Sequence, residues 1–117
     1  MSEAAALRLY FPLSAHATGT RFWHRLSAPA LAHHLLTVAR QAGVKQVILH
    51  HVDAGYLAGK KLSRHHVEVS SMHHPQCLEL VDTEKHLRKF LHEHAVELKK
   101  VRAILFKCEL PLTQVSA

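Results

Sequence analysis

At 117 residues the chain has the length of one domain, enough for a real core and too short for two. Its composition, 48% apolar and 21% charged, is a normal globular balance, and no apolar run approaches the length of a bilayer span. Fifteen basic against nine acidic residues leave a net charge of +6, which suits nucleotides, nucleic acid or anionic membrane surfaces without choosing among them.

The first predicted strand is ALRLYF (6–11), where Leu7, Leu9 and Phe11 alternate with Arg8 and Tyr10. The stretch 12–28, PLSAHATGTRFWHRLSA, has no clean period and reads as an irregular connection. Ser27 or Ala28 then caps a helix over 29–42, with Pro29 in the first turn, where a missing N–H costs nothing. Leu31, Leu35, Val38, Ala39 and Ala42 form its apolar face, and Gly43 ends it in the left-handed conformation. The strand VKQVILHH (44–51), a loop over 52–75 and the strand QCLELV (76–81) follow. Asp82 or Thr83 can cap a second helix, 83–98, whose apolar stripe is Leu87, Phe90 or Leu91, Ala95 and Leu98. Glu84, Lys85, Lys89, Glu93 and Glu97 fall largely outside that stripe. The last strand is VRAILFKCEL (101–110), and Pro111 stops its pairing.

Strand–helix–strand twice over gives βαββαβ, an α+β ferredoxin-like sandwich with four antiparallel strands and both helices on one face, in one domain over 1–117. The runs VIL (47–49) and ILF (104–106) are too continuous to be solvated on the other face, so a second chain is expected to cover it. The start MSEAAALRLYF has no basic region followed by a long hydrophobic stretch, so a cytoplasmic protein is expected. Cys77 and Cys108 sit in apolar strand patterns without CxxC spacing, which predicts reduced, buried thiols.

The 52–75 loop, VDAGYLAGKKLSRHHVEVSSMHHP, is the feature that calls for a function. Adjacent antiparallel strands are ordinarily closed by about two to five residues, and a longer connection in a compact domain usually binds something. Lys60, Lys61 and Arg64 make its tip basic, and Gly55 and Gly59 suit a mobile segment.

ALRLYF, the helix end ARQAGV (39–44), AGY (54–56) and LELVDTEKHLRKFL (78–91) together resemble the PII-like proteins of the domain-of-unknown-function 190 family. Glu79, Val81, Asp82, Glu84, Phe90 and Leu91 fill the family's E-I-V-D-x-E-x-x-x-x-F-L pattern without a gap. The resemblance implies a homotrimer with its sheets facing inward, in which the long loop corresponds to the T-loop of PII signalling proteins. It further implies an adenine nucleotide (AMP, ADP or ATP) bound in intersubunit clefts beneath that loop, loop movement that signals occupancy to a regulated protein, and no catalysis. At the loop base only Gly55 and Tyr56 match the family's R-G-x-x-G-F-G, and the 12–28 connection is longer than the family's.

Phosphate binding needs backbone N–H groups or basic side chains converging on one spot, and the chain has neither GxxxxGK[ST] nor GxGxxG. The candidates are Asp53, Gly55 and Tyr56 at the loop base, Lys60 and Lys61 in the loop, and Lys99, Lys100 and Arg102 around the start of the last strand. Taken singly, each lysine reads equally as a solvated surface charge. Histidines occur as the pairs 33–34, 50–51, 65–66 and 73–74, with His92 and His94 besides. Neighbouring residues diverge on strands and helices, so one pair seldom supplies two ligands to one ion. His65, His66, His73 and His74 could converge as a metal site, the alternative reading, in which the protein resembles the trimeric divalent-cation tolerance protein CutA. Phe22 and Trp23 offer cover for a sheet edge or an interface, and without RNP-like strand motifs nucleic acid is not the expected partner.

Overall fold

In the computed structural model residues 3–15, 30–64 and 73–108 are described. They form β1 (Ala4–Pro12), α1 (Leu31–Gln41), β2 (Gln46–His51), β3 (Ala54–Gly55), β4 (Ser63–Arg64), β5 (Pro75–Thr83), α2 (Glu84–Glu93) and β6 (Arg102–Lys107). β2, β5, β1 and β6 lie in that order in one antiparallel sheet, and β3 pairs with β4 as a separate hairpin. This α+β arrangement, an antiparallel sheet with two helices, is compatible with a ferredoxin-like fold.

The alternation in β1 decides which face of the sheet is core. Leu7, Leu9 and Phe11 are buried and join Leu78 and Leu80 of β5 in one cluster. Leu31, Leu35 and Ala39 of α1 and Leu87 and Phe90 of α2 enter the same cluster, so both helices cover the same face. Register places Ile48, Glu79, Arg8 and Ile104 in one row across the opposite face. Ile48, Ile104 and Phe106 are exposed there. Arg8 Nε donates to Glu79 Oε2 at 2.8 Å, and its guanidinium lies 5.1 Å from the centre of the Phe106 ring.

Several element ends differ from the pattern in the sequence. α1 begins at Leu31 with Ala30 at its cap and no side-chain cap; Ser27, Ala28 and Pro29 lie outside the described residues. Ala42, expected on the apolar face, is the exposed C-cap, and Gly43 follows at φ 78°, the left-handed conformation an L side chain resists. α2 stops at Glu93, because His94 leaves the helical region at φ −111° and ψ 23°. Turns carry the chain onward and return Leu98 to the core, while Ala95 is exposed. Glu97, expected outside, is half-buried between helices, its Oε2 2.5 Å from His34 Nε2 and its Oε1 3.8 Å from His94 Nδ1. Despite that proximity, the two atoms do not meet the geometry of a hydrogen bond. Cys77 is buried and burial pushes its thiol up, but Cys108 follows β6 at an edge and is only half-buried. Phe22, Trp23 and Pro111 lie outside the described residues.

The junction of β5 and α2 is built from Asp82, Thr83 and His86. Thr83 caps α2, its Oγ1 accepting from His86 N at 3.2 Å. Asp82 is buried and accepts from Thr83 N, Lys45 N and His86 Nδ1 at 2.6, 3.0 and 2.8 Å. His86 Nε2 in turn lies 3.1 Å from the Ala42 carbonyl, so one side chain pair ties the end of α1 to the start of α2. Burial opposes the charge on Asp82, yet these donors outweigh it and hold its carboxyl below the usual range.

A basic groove beneath a pinned hairpin

The 52–75 loop contains a hairpin. Leu57 to Lys60 close its tip, with the Lys60 amide donating to the Leu57 carbonyl at 2.9 Å and Gly59 at φ 76°. A positive φ at the third position is what a type II turn demands and glycine supplies. Register pairs Ala54 with Arg64 and Gly55 with Ser63. Tyr56 and Leu62 follow the last pair and are both exposed. The paired residues alternate between two faces, with Gly55 and Ser63 inward and Ala54 and Arg64 outward.

The inward face is fastened by His74. Both Ser63 and His74 are buried, and Ser63 Oγ lies 2.7 Å from His74 Nδ1. His74 Nε2 lies 2.5 Å from the Val52 carbonyl oxygen, which can only accept, so Nε2 carries a proton. Gly55 faces Pro75 and Val52, where an added Cβ would make ordinary contacts of 3.7 and 3.8 Å.

Behind the hairpin tip runs a groove. One cavity of about 360 Å³ is lined by Tyr10, Phe11, Pro12, Leu57, Ala58, Lys60, Lys100 and Arg102. A second, of about 380 Å³, shares Phe11, Pro12 and Lys100 with it and adds Leu31, Val96, Glu97, Lys99 and Val101 among its walls. Both cavities combine apolar walls with cations, Lys60, Lys100 and Arg102 in the first and Lys99 and Lys100 in the second.

Of the residues singled out in the sequence, Lys60, Lys100 and Arg102 come together around one space, although Lys60 and Lys100 are far apart in the chain. Lys99 lines the adjoining cavity. Asp53, Gly55, Tyr56 and Lys61 line neither; Tyr56 and Lys61 are exposed on the hairpin. Tyr10, absent from the expected set, lines the groove beside the cations. Its place in the β1 alternation, on the face opposite Leu9 and near the strand's end, was the available signal.

His65 and His66 lie outside the described residues, His73 is exposed, and His74 uses both ring nitrogens to hold the loop. Among the described residues no three His, Cys, Asp or Glu side chains are grouped to hold a metal ion. No helix among them is long and apolar enough to cross a membrane.

No protein of curated function shows a sequence match to this chain. Among solved structures it is similar to an amidase of the hydantoinase/carbamoylase family from Burkholderia phymatum, at 17% identity and a TM-score of 0.33. That likeness covers 93% of this chain but spans only 28% of the amidase chain, and at this level it carries no functional argument. A family model described as DUF190, Uncharacterized ACR, matches residues 7–109, and the chain belongs to the DUF190 family.

Proposed function

We propose that this is a cytoplasmic PII-like signalling protein, a βαββαβ homotrimer that binds an adenine nucleotide in the groove and uses the 52–75 segment as a T-loop to engage a regulated partner. The observation that carries the reading is the convergence of Lys60 from the loop with Lys100 and Arg102 from the sheet side around one cavity. An anion seated there touches loop and scaffold at once, so its charge can order the loop. The adjoining cavity sets Phe11, Leu31 and Val101 beside Lys99, Lys100 and Glu97, and its apolar part suits a flat base. Exposed Ile48, Ile104 and Phe106 support the trimer, because three sheets facing inward would cover them together with the Arg8–Glu79 ion pair that lies between Ile48 and Ile104.

Calorimetric titration of AMP, ADP and ATP into the protein tests this. Saturable binding of at least one nucleotide below millimolar concentration, with one site per chain, is the expected result. Absence of binding by all three overturns it, and transition-metal titration then tests the CutA-like alternative.

A further inference from the structure

The outward face of the β3–β4 hairpin is not used by the groove. Tyr56 is 67% exposed and Leu62 47%, and both adjoin the Gly55–Ser63 pair at the tip end of the hairpin, with exposed Arg64 next along. Lys60 and Lys61 follow at the tip, and between residues 53 and 64 the only acidic side chain is Asp53. We propose that this face docks the protein on an anionic phospholipid surface, with Tyr56 and Leu62 entering the headgroup boundary and Lys61 and Arg64 meeting lipid phosphates. The inference rests on the reading of this loop as the partner-contact element and names the chemistry of that partner.

Three physical points favour a bilayer over a folded protein. A specific protein interface needs about 800 Å² from each side, and two large apolar side chains with their cations fall well short of that area. Membrane association requires no matching shape; it sums shallow apolar insertion with attraction of each cation to anionic headgroups. Tyrosine, with an apolar ring and a polar tip, suits the boundary between the two phases. The Ser63–His74–Val52 hydrogen bonds hold the base of the hairpin from its inner side, opposite the docking face. The chain's net charge of +6 draws the whole molecule toward the same surface.

Co-sedimentation of the full-length protein with vesicles tests the proposal. Pure phosphatidylcholine vesicles should leave it in solution, and vesicles with ~30% phosphatidylserine should bind it, less strongly as salt rises from about 0.1 M to about 0.5 M. Lys61→Glu with Arg64→Glu should lower the partition coefficient at least about twentyfold. Tyr56→Ser with Leu62→Ser should lower it by about tenfold. Lys85→Glu with Lys89→Glu, an equal charge change on exposed positions of α2, should leave the hairpin's contribution intact and cost about fivefold at most.

Lack of binding to the anionic vesicles overturns the proposal. Equal losses from the hairpin and α2 charge changes also overturn it, since a merely basic protein behaves that way. Binding to soluble polyglutamate as tight as to vesicles, and unchanged by the Tyr56 and Leu62 substitutions, would assign the face to an acidic protein. The vesicle assay contains no nucleotide, so its failure and that of the nucleotide reading are separately visible.

Discussion

Ser63, midway along the 52–75 segment, and His74, near its end, meet inside the protein, with Oγ and Nδ1 2.7 Å apart. This contact turns a long connection into a short hairpin on a fixed base. The remainder of the loop, 65–72, lies outside the described residues.

Removing the imidazole should therefore loosen the hairpin without unfolding the domain. His74→Ala takes from Ser63 and the Val52 carbonyl a buried hydrogen-bond partner, at a local cost of about 1–3 kcal/mol. Trypsin should cut at Lys60, Lys61 or Arg64 in the ligand-free wild type, and about 5- to 100-fold faster in His74→Ala if cleavage follows local opening. Equal rates in both proteins would show that the histidine does not govern the hairpin.

In the groove, each basic group contacting phosphate should contribute about 1.5–3 kcal/mol. Lys100→Ala with Arg102→Ala should weaken nucleotide binding at least tenfold while leaving the assembly intact, as read by calorimetry alongside light scattering. Tyr10→Phe keeps the ring and should have a smaller effect than either charge change.

The uncovered sheet face predicts an assembly. Light scattering of the wild type should give about three times the chain mass, because a buried sheet face makes a large interface. Ile48→Asp with Ile104→Asp places two carboxylates in the row that already holds Glu79, and should release monomers. A monomeric wild type refutes both the trimer and an intersubunit ligand site.

Acid should weaken the protein partly through Asp82. Its folded carboxyl titrates below the ordinary range, so its contribution is complete above that range and fades as pH falls through the folded value. Urea unfolding of wild type and Asp82→Asn should differ by about 1.5–3 kcal/mol near neutrality. The gap should close below about pH 4, where the unfolded carboxyl is protonated. A difference that stays constant down to low pH would remove the charge of Asp82 from the explanation.

Much of the scaffold was legible in the sequence because a single strong rule governed each part. Period-two alternation gave Leu7, Leu9 and Phe11 their face, and Gly43 marked the end of α1. The end of α2 was not legible: Leu98 keeps helical spacing from Leu87 yet reaches the core through turns after His94. The hairpin was hidden for another reason. Its strands are only two residues each, too short for a period, and the side chain that meets them from the inner side, His74, lies eleven residues beyond Ser63. Glu97 read as a surface charge because His34, on α1, reaches it only once the two halves of the chain pack on one face of the sheet, although His94 is its near neighbour in sequence. Lys60, Lys100 and Arg102 were legible as basic positions, but their convergence with Tyr10 is a product of the tertiary fold.

β1 sits inside the sheet, and both of its neighbours, β5 and β6, come from the far half of the chain: Leu7 pairs with Leu80 on one side and Leu105 on the other. During synthesis, the first strand made must therefore wait for the last. Until residues 102–107 have emerged, one edge of β1 stays unpaired even where β5 and the helices can already cover its apolar row, and holdase chaperones have their longest opportunity to act. A nascent chain arrested before Arg102 should remain protease-sensitive throughout, and release of the final strand should convert it to the native state in one cooperative step.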